Sequence, residues 1–210
     1  MPQIKTISCG HVNVYVLGGP DEAILVDTGM EKDRERVLNA CGESTVKLIL
    51  LTHGHCDHCQ NAHWLAERLG CPVGIGAADA PLIQAGEKRR VQGSGVWGRI
   101  YAAASNRVIQ TEAIPPVEPQ VLLKEGMSLT PFGVKGEIIA LPGHTKGSVG
   151  VLLETRELFV GDAMQNLGRP AASWCWENRA DMEESTAAIR RLNASAVYFG
   201  HGKAALSGVN

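Results

Sequence analysis

Residues 46–58 read VKLILLTHGHCDH, and they indicate both an element of the central sheet and the chemistry of the protein. Its first half is an apolar run of the kind found in strands that are buried on both faces. Its second half places three imidazoles and one carboxylate within six positions, at His53, His55, Asp57 and His58. Imidazole and carboxylate are ligands that suit zinc, iron or manganese. The stretch therefore predicts a metal-binding loop directly after a buried strand.

Three further candidate ligands lie later in the chain, since two metal ions need about six or seven ligands and one loop cannot supply them. Each directly follows an apolar run typical of a strand: His144 in LPGHTKGS, Asp162 in FVGDAM and His201 in FGHGK. Five of the seven histidines belong to this pattern. We interpret the other two as structural, His11 in a turn and His63 on a helix. Together the seven ligands favour a site for two metal ions.

The composition is that of an ordinary globular protein, with 44% hydrophobic and 20% charged residues among 210. The net charge is −2 and the basic residues are dispersed, which argues against a nucleic-acid or anionic-membrane partner and favours a small-molecule substrate. The sequence has no signal-peptide pattern and no run of roughly 20 apolar residues, so we expect a cytoplasmic protein. The six cysteines are expected to be free thiols. The oligomeric state stays open, with a homodimer as one option.

Apolar periodicity predicts short strands alternating with helices. The predicted strands are 4–7, 12–17, 23–26, 46–51, 73–76, 121–123, 128–134, 137–141, 148–153, 157–160 and 197–199. Helices are predicted over 31–40 and 59–69, and a third from a capping box at Asp181 and Glu184 to about Leu192. The segments AILVDTG and ELFVGDA are similar, which indicates two related halves. We therefore predict a single α/β domain over 1–210, an αββα sandwich of two mixed β-sheets with helices on the outer faces.

The whole set resembles the metallo-β-lactamase fold superfamily, with its HxHxDH loop followed by a later His, Asp and His. The resemblance implies that a first metal takes His53, His55 and His144. It implies that a second takes Asp57, His58 and His201, with Asp162 bridging both ions. Asp27 in LVDTG matches a family aspartate that supports the site, although a polar turn after a strand explains it equally well. Zinc is the preferred metal, with iron and manganese as alternatives.

The charge of such a site indicates its chemistry. Two dications roughly 3.5–4 Å apart lower the pKa of a shared water enough to give a bridging hydroxide at neutral pH. Subtracting the charges of Asp57, Asp162 and that hydroxide leaves a formal charge of about +1, which stabilises a developing oxyanion. Asp57 and Asp162 are the expected catalytic residues, with Asp57 able to take or deliver a proton. No protein nucleophile is required.

Residue type separates branches of the superfamily that the sequence resembles. Asp162 stands where true β-lactamases have Cys or Ser, and His55 stands where flavodiiron proteins have Glu. The remaining resemblance is to the glyoxalase II-like group, which predicts hydrolysis of a small-molecule ester, thioester or lactone. The chain ends soon after His201, before the helical glutathione-binding region of glyoxalase II, so glutathione specificity is not expected. The alternatives are a persulfide dioxygenase-like enzyme with one iron, on His53, His144 and Asp162, or a non-catalytic metal-binding protein of the same fold.

Residues 86–120 have the composition of an insertion near this site, with several glycines, Trp97 and Tyr101. Two interpretations are equally favoured: a segment that covers an apolar substrate, or a surface helix pair whose aromatics belong to the core. Residues 171–176 follow Asp162 and are expected to form an apolar wall or a buried structural segment. Cys56 and Cys59 form a CxxC pattern that we interpret as coincidence, although Cys59 is expected to be an acidic, oxidisable thiol.

Overall fold

Two β-sheets, with helices outside each, form the protein in a computed structural model that describes residues 3–206 and residue 209. The strands are β1 Gln3–Cys9, β2 Val12–Gly18, β3 Ala23–Val26, β4 Val46–Leu50, β5 Val73–Gly76, β6 Gln92–Gly93, β7 Val121–Leu123, β8 Gly136–Ala140, β9 Val149–Leu153, β10 Glu157–Phe159, β11 Met164–Asn166, β12 Pro170–Ala172, β13 Cys175–Trp176 and β14 Ala196–Tyr198. The helices are α1 Arg34–Cys41, α2 Cys56–Cys59, α3 Ala62–Leu69, α4 Ala80–Gln84, α5 Gly95–Thr111 and α6 Arg179–Arg191.

Both large sheets are mixed. The first has the strand order β1-β2-β3-β4-β5-β7, in which β1, β2 and β3 pair antiparallel and β3, β4, β5 and β7 pair parallel. The second has the order β14-β10-β9-β8, with only β14 and β10 parallel. Two short two-stranded sheets, β11-β12 and β13-β6, complete the described part of the chain. The predicted pair of mixed sheets is confirmed.

Strand β4 shows why an unbroken apolar run is needed at the centre of the first sheet. Successive side chains of a strand point to opposite faces. Leu48 and Leu50 pack between the two sheets with residues such as Phe159, whereas Ile49 packs on the other face beneath α1, α3 and α4. Helix α6 covers the far face of the second sheet through Ile189. The layers therefore run helix, sheet, sheet, helix, as predicted.

Three predicted elements differ from the structure. Residues 128–134 do not form a strand, because Pro131 lacks an N–H and Gly133 has a φ of 80°, and Thr130–Phe132 is a short 3-10 helix instead. The helix predicted over 59–69 is two helices, α2 and α3, separated at Asn61. The Asn61 side chain there donates to two backbone carbonyls of the loop after β3.

The start of helix α6 also differs from the prediction. Asn178 is the N-cap, and its side-chain oxygen accepts hydrogen bonds from the backbone N–H groups of Ala180 and Asp181, at 3.0 and 3.4 Å. Asp181 therefore lies in the first turn of the helix rather than at its cap. A carboxylate in that position is still favoured by the helix dipole. Among the described residues, no helix combines the length and apolar character needed to cross a membrane.

The buried centre of the first sheet gives a test of stability. Replacing the fully buried Leu48 by Ala removes contacts on the inter-sheet face and leaves a cavity, so we expect a loss of about 2–5 kcal/mol in the free energy of unfolding. Leu122, which is 55% exposed on the edge strand β7, is the matched control, and L122A should change it by less than about 0.5 kcal/mol. Urea denaturation of both variants measures the difference. Equal effects of L48A and L122A would contradict this account of the core.

Candidate metal centre

The loop after β4 and the short helix α2 carry four of the predicted ligands. His53 and His55 flank Gly54, where a side chain is excluded because a Cβ atom would lie 2.6 Å from the Cβ of Leu82 on helix α4. This close packing presses the loop against α4. Asp57 and His58 follow on α2, whose backbone continues from His55. The N–H of Thr28, after β3, donates to the His58 carbonyl at 2.7 Å and fixes α2 against the sheet.

The other three predicted ligands, His144, Asp162 and His201, lie in turns that follow β8, β10 and β14. These turns at the edge of the second sheet therefore lie beside the loop that follows β4 in the first sheet. Gly200 allows the closest approach, because a Cβ atom at that position would overlap the carboxylate of Asp162. The Gly200 N–H also donates to the Gly161 carbonyl at 2.8 Å, which ties two of these turns together.

All seven predicted side chains are brought into one cluster. Their ligand atoms fall into three overlapping groups, within each of which the atoms lie within 4.8 Å of one another. The groups are His53, His55 and His144; His53, His58 and Asp162; and Asp57, His58 and His201. A tetrahedral metal with bonds of about 2.0–2.1 Å separates its ligands by roughly 3.4 Å, which is the scale of these groups.

Asp162 lies at the junction of the groups. Its Oδ2 is 3.6 Å from His144 Nε2 and 3.1 Å from His201 Nε2, while its Oδ1 is 3.4 Å from His58 Nε2. Asp57 Oδ2 lies 3.4 Å from His201 Nε2 on the more open side of the cluster. One carboxylate therefore contacts members of both ligand sets that the resemblance implies.

Four histidines of the cluster form a hydrogen bond through Nδ1 with a group outside it. Their Nε2 atoms are therefore the ones available inside the cluster. His144 Nδ1 donates to the Cys175 carbonyl at 2.9 Å and His201 Nδ1 donates to the His11 carbonyl at 2.6 Å. His53 Nδ1 lies 3.1 Å from Thr52 Oγ1, and His58 Nδ1 lies 2.8 Å from Asp27 Oδ2. Such outer hydrogen bonds fix the tautomer and orientation of metal-binding imidazoles.

Several buried cluster atoms have no hydrogen-bond partner within the described residues. They include Nε2 of His53 and Nε2 of His55; Nε2 of His58 and Oδ1 of Asp162 also lack a well-formed hydrogen bond, although they lie 3.4 Å apart. Burying such atoms unpaired is costly, and buried polar groups are normally satisfied. A divalent cation would satisfy both the imidazole lone pairs and the carboxylate. The residues present therefore fit a metal.

The two halves of the cluster differ in charge. Burial, followed by the neighbouring imidazoles, lowers the pKa of His53 well below its usual value and that of His55 to about 3. Burial also acts on His58 and His201 and lowers the pKa of each, but the nearby carboxylates, Asp162 foremost and Asp57 with it, together outweigh burial and raise the pKa of both well above the usual value. Because a metal needs the neutral imidazole, cation binding at His58 and His201 would displace protons.

Asp27 supports the cluster in the place that the resemblance implied. Its backbone has a φ of 62°, a left-handed conformation that Asp tolerates better than most residues. Oδ1 accepts the N–H of Thr52 at 2.8 Å, and Oδ2 contacts both the Thr52 hydroxyl and His58 Nδ1. Asp27 thus joins the end of β4 to a cluster histidine.

Sequence reasoning missed Asp79, a fully buried carboxylate that joins the two halves of the site. Oδ2 accepts from Gly54 N at 3.1 Å and from Thr145 Oγ1 at 2.6 Å, while Oδ1 accepts from Gly147 N at 3.0 Å and from Arg89. Asp79 therefore binds the loops that carry His53, His55 and His144. The sequence signal is weak, because Asp-Ala-Pro is typical of an ordinary helix start.

A cavity of about 460 Å³ opens beside the cluster and is lined by His55, Asp57, His144, Asp162 and His201 on its metal side. Helix α5 forms a further wall through Tyr101 and Ala104. Of the two aromatics that the substrate-covering interpretation placed over a substrate, Tyr101 lines the cavity, whereas Trp97 is 77% exposed and does not line it. A more open groove of about 560 Å³ lies around Glu31 and Arg34 but includes none of the seven ligands.

Residues 171–176 were interpreted as an apolar wall or a buried structural segment, and it is small residues of this segment that line the cavity. Ser173 and Cys175 line the cavity, whereas the two tryptophans point elsewhere. Trp174 makes an edge contact with Tyr101, with ring centroids 5.6 Å apart, and Trp176 Nε1 donates to Ser94 Oγ at 3.3 Å. The tryptophans therefore hold α5 in place rather than contact the cavity.

The cysteines are all free, as predicted. Burial, followed by the charge of nearby groups, raises the pKa of Cys59 well above its usual value and that of Cys56 to about 12. Burial therefore opposes the acidity expected of Cys59, the last residue of α2, whose side chain is shielded from solvent. The CxxC pattern forms no disulfide.

Comparison with known proteins identifies the class. A family model described as the metallo-beta-lactamase superfamily matches residues 7–201, so the chain belongs to that superfamily. Beta-lactamase-like protein 2 homolog of Caenorhabditis elegans is 27% identical over 90% of this chain. Hydroxyacylglutathione hydrolase 1 of Vibrio vulnificus (strain YJ016) is 24% identical over 90% of this chain. This chain spans 55% and 61% of the lengths of these two relatives.

One solved structure adds a likeness over nearly the full length of both chains. TTHA1623, crystallised in a di-iron-bound form, matches with a TM-score of 0.69 and 26% identity over 99% of this chain and 96% of that one. The superfamily predicted from the sequence is therefore confirmed, and its members' fold is the fold described above.

The buried Asp79–Arg89 contact gives a test of the loop network. R89M should lower the free energy of unfolding by about 3–5 kcal/mol, because it leaves the buried Asp79 carboxylate without its cation. The neighbouring Arg90 is exposed, and R90M is the matched control, with an expected change below about 0.5 kcal/mol. Chemical denaturation measures both. If R89M is as stable as R90M, Asp79 does not depend on Arg89.

Proposed function

We propose that the protein is a hydrolase of small-molecule esters, thioesters or lactones that uses two metal ions. The observation that carries the proposal is the position of Asp162, whose carboxylate contacts His144 of one proposed ligand set and His58 and His201 of the other. A carboxylate between two ligand sets is suited to bridging two cations. The first ion would take His53, His55 and His144, and the second Asp57, His58 and His201, with Asp162 shared.

The side chains of the cluster would divide the chemistry between them. Two divalent cations, when bound, supply a nucleophile at neutral pH by lowering the pKa of water, and they polarise a carbonyl. Asp162 holds the two ligand sets together, and Asp57, which lines the cavity, is available as a proton acceptor. Burial raises the pKa of Asp57, but His58 and His201 outweigh burial and keep the carboxyl ionised.

The donor set supports zinc as the proposed metal, because imidazole and carboxylate are the ligands of most catalytic zinc sites. Iron is the main alternative, since TTHA1623 was crystallised with two irons. Similarity to a protein named hydroxyacylglutathione hydrolase supports a thioester as one substrate class. The proposal also includes a single domain over 1–210, a cytoplasmic location, no nucleic-acid or membrane partner, and an open choice between monomer and homodimer.

Removing one ligand of the second set tests the proposal. H201A should bind about one metal fewer per chain and lose ester or thioester hydrolysis by a factor of about 100 or more, the effect of losing a principal electrostatic stabiliser. His63 is exposed on α3 and outside the cluster, so H63A is the matched histidine control and should keep both metals and activity. Metal analysis and hydrolysis rates on a panel of esters, thioesters and lactones provide the measurements.

Oxygen consumption by the same proteins separates the alternatives. One iron in wild type and H201A alike, with oxygen uptake that H201A does not change, would replace the hydrolase by a mononuclear iron oxygenase. Two metals per chain with no turnover on the panel would instead indicate a metal-binding protein of this fold.

The Asp27 contact gives a milder test of the same set. D27N keeps the size of the side chain, and Asn tolerates the left-handed backbone conformation at this position. The substitution removes the carboxylate charge and so weakens the hydrogen bond with His58 Nδ1. We expect the affinity for the second metal to fall about 10–100-fold, as for other outer partners of metal ligands, while the first stays bound. Competition with a metal-binding dye at a series of concentrations resolves the two affinities. Unchanged affinity at both sites would refute a supporting role for Asp27.

A further inference from the structure

We infer that the substrate carries an extended, uncharged apolar group, held against helix α5 beside the scissile bond. This inference rests on the proposed hydrolase function and names the class of substrate that this site selects. Its basis is the composition of the cavity walls outside the metal cluster.

The cavity has three walls besides the cluster, and apolar side chains dominate each. The first comes from the β1–β2 turn and the loop after β3, the second from helix α5 and Val91, and the third from the segment after Asp162. Their apolar members include Val12, Met30, Val91, Val108, Ile109 and Leu167. A volume of about 460 Å³ is within the usual range for small-molecule sites. Each methylene placed there would gain about 0.8 kcal/mol, or roughly fourfold in affinity.

The charges around the cavity argue for an uncharged group. Among the lining residues, the carboxylates are Asp57 and Asp162, which belong to the cluster. The only Lys or Arg in the lining is Lys32, an exposed residue on the 3-10 turn before α1. A charged group against α5 would therefore lie among apolar side chains with no counter-ion there, which is unfavourable.

Contacts near both ends of helix α5 hold it in place, so the cavity wall that it forms has a defined position. Asn106 exchanges two hydrogen bonds with the backbone of Val91, at 2.9 and 2.8 Å. At the other end, Gly93 and Gly98 approach so closely that a Cβ atom on Gly93 would overlap the Gly98 carbonyl. Tyr101 is held by its edge contact with Trp174.

Two neighbouring alanines on α5 give a matched pair of substitutions. Ala104 lines the cavity, whereas Ala103 does not, and both are exposed, so neither change requires repacking of a core. A104W would fill the cavity beside α5, and A103W adds the same side chain outside it. A third variant, V108S, replaces an apolar lining residue by a polar one without filling the space.

The experiment measures kcat/KM of the metal-loaded proteins on two series of p-nitrophenyl and alkyl esters. One series lengthens the acyl group from acetyl to octanoyl, and the other lengthens the alcohol of an acetate. For wild type and A103W we expect kcat/KM to rise by about 10-fold or more along one series. This rise is smaller than a fourfold gain for every added methylene would give. A104W should lose that rise while still hydrolysing the acetyl ester, and V108S should reduce it.

The outcomes separate this inference from the proposed function. Hydrolysis with no dependence on chain length in either series, or an equal effect of A103W and A104W, would overturn the inference and leave the hydrolase assignment intact. If no ester is hydrolysed, binding of octanoate and acetate, measured by calorimetry, still tests the pocket. Tighter binding of octanoate that A104W alone removes would support the pocket, and equal binding of both acids would overturn it.

A substrate with a charged tail is the remaining outcome. Acyl chains that end in a carboxylate should be poorer substrates than uncharged chains of equal length, because they place an anion against α5. A preference for the carboxylated chain that K32Q abolishes would identify an anion site at Lys32 and overturn the inference of an uncharged group.

Discussion

The site depends on one constraint: ionisable side chains from both sheets meet at a single buried point and must be held there together. Taking such groups out of water is costly unless they are paired. The Asp162 carboxylate is central to the arrangement, since its oxygens lie 3.1–3.6 Å from ring nitrogens of three histidines. The neighbouring imidazole atoms that lack partners fit cations rather than further protein groups. The surrounding contacts serve to keep these groups in place.

The sandwich determines where that point lies. Strands β4, β8, β10 and β14 come from two sheets that pack through a shared apolar core, and the loops that follow them, together with the short helix α2, carry all seven ligands. Fine positioning then depends on backbone contacts. Gly54 lets the first loop pack on α4, Gly200 makes room for Asp162, and Asp27 binds both Thr52 and His58. Such positions are rigid because each is fixed by more than one partner.

The sequence predicts the parts of the fold that local patterns encode. The apolar run of β4 needs burial on both faces, and the sandwich supplies it, so the strand and the loop after it are predictable. The strand predicted over 128–134 fails because Pro131 and Gly133 override the apolar pattern. The sequence left the roles of Trp97 and Tyr101 open, because helical periodicity does not reveal which face of α5 meets the cavity. Asp79 was missed because its partners in the metal-binding loops, Gly54 and Thr145, are 25 and 66 positions away in the sequence.

The side of the cavity formed by the seven-residue cluster and the side formed by α5 are built differently. The ligands follow strands that belong to the large cores, whereas α5 packs through a small separate cluster of Val91, Ala102 and Cys175. Substitutions on the cavity face of α5 can therefore change the pocket without repacking the sheets. The two sides still share a connection, since Arg89, in the segment before α5, binds the buried Asp79 that holds the metal-side loops. A substitution before α5 that broke this contact would therefore be expected to disturb the loops that carry His53, His55 and His144 as well.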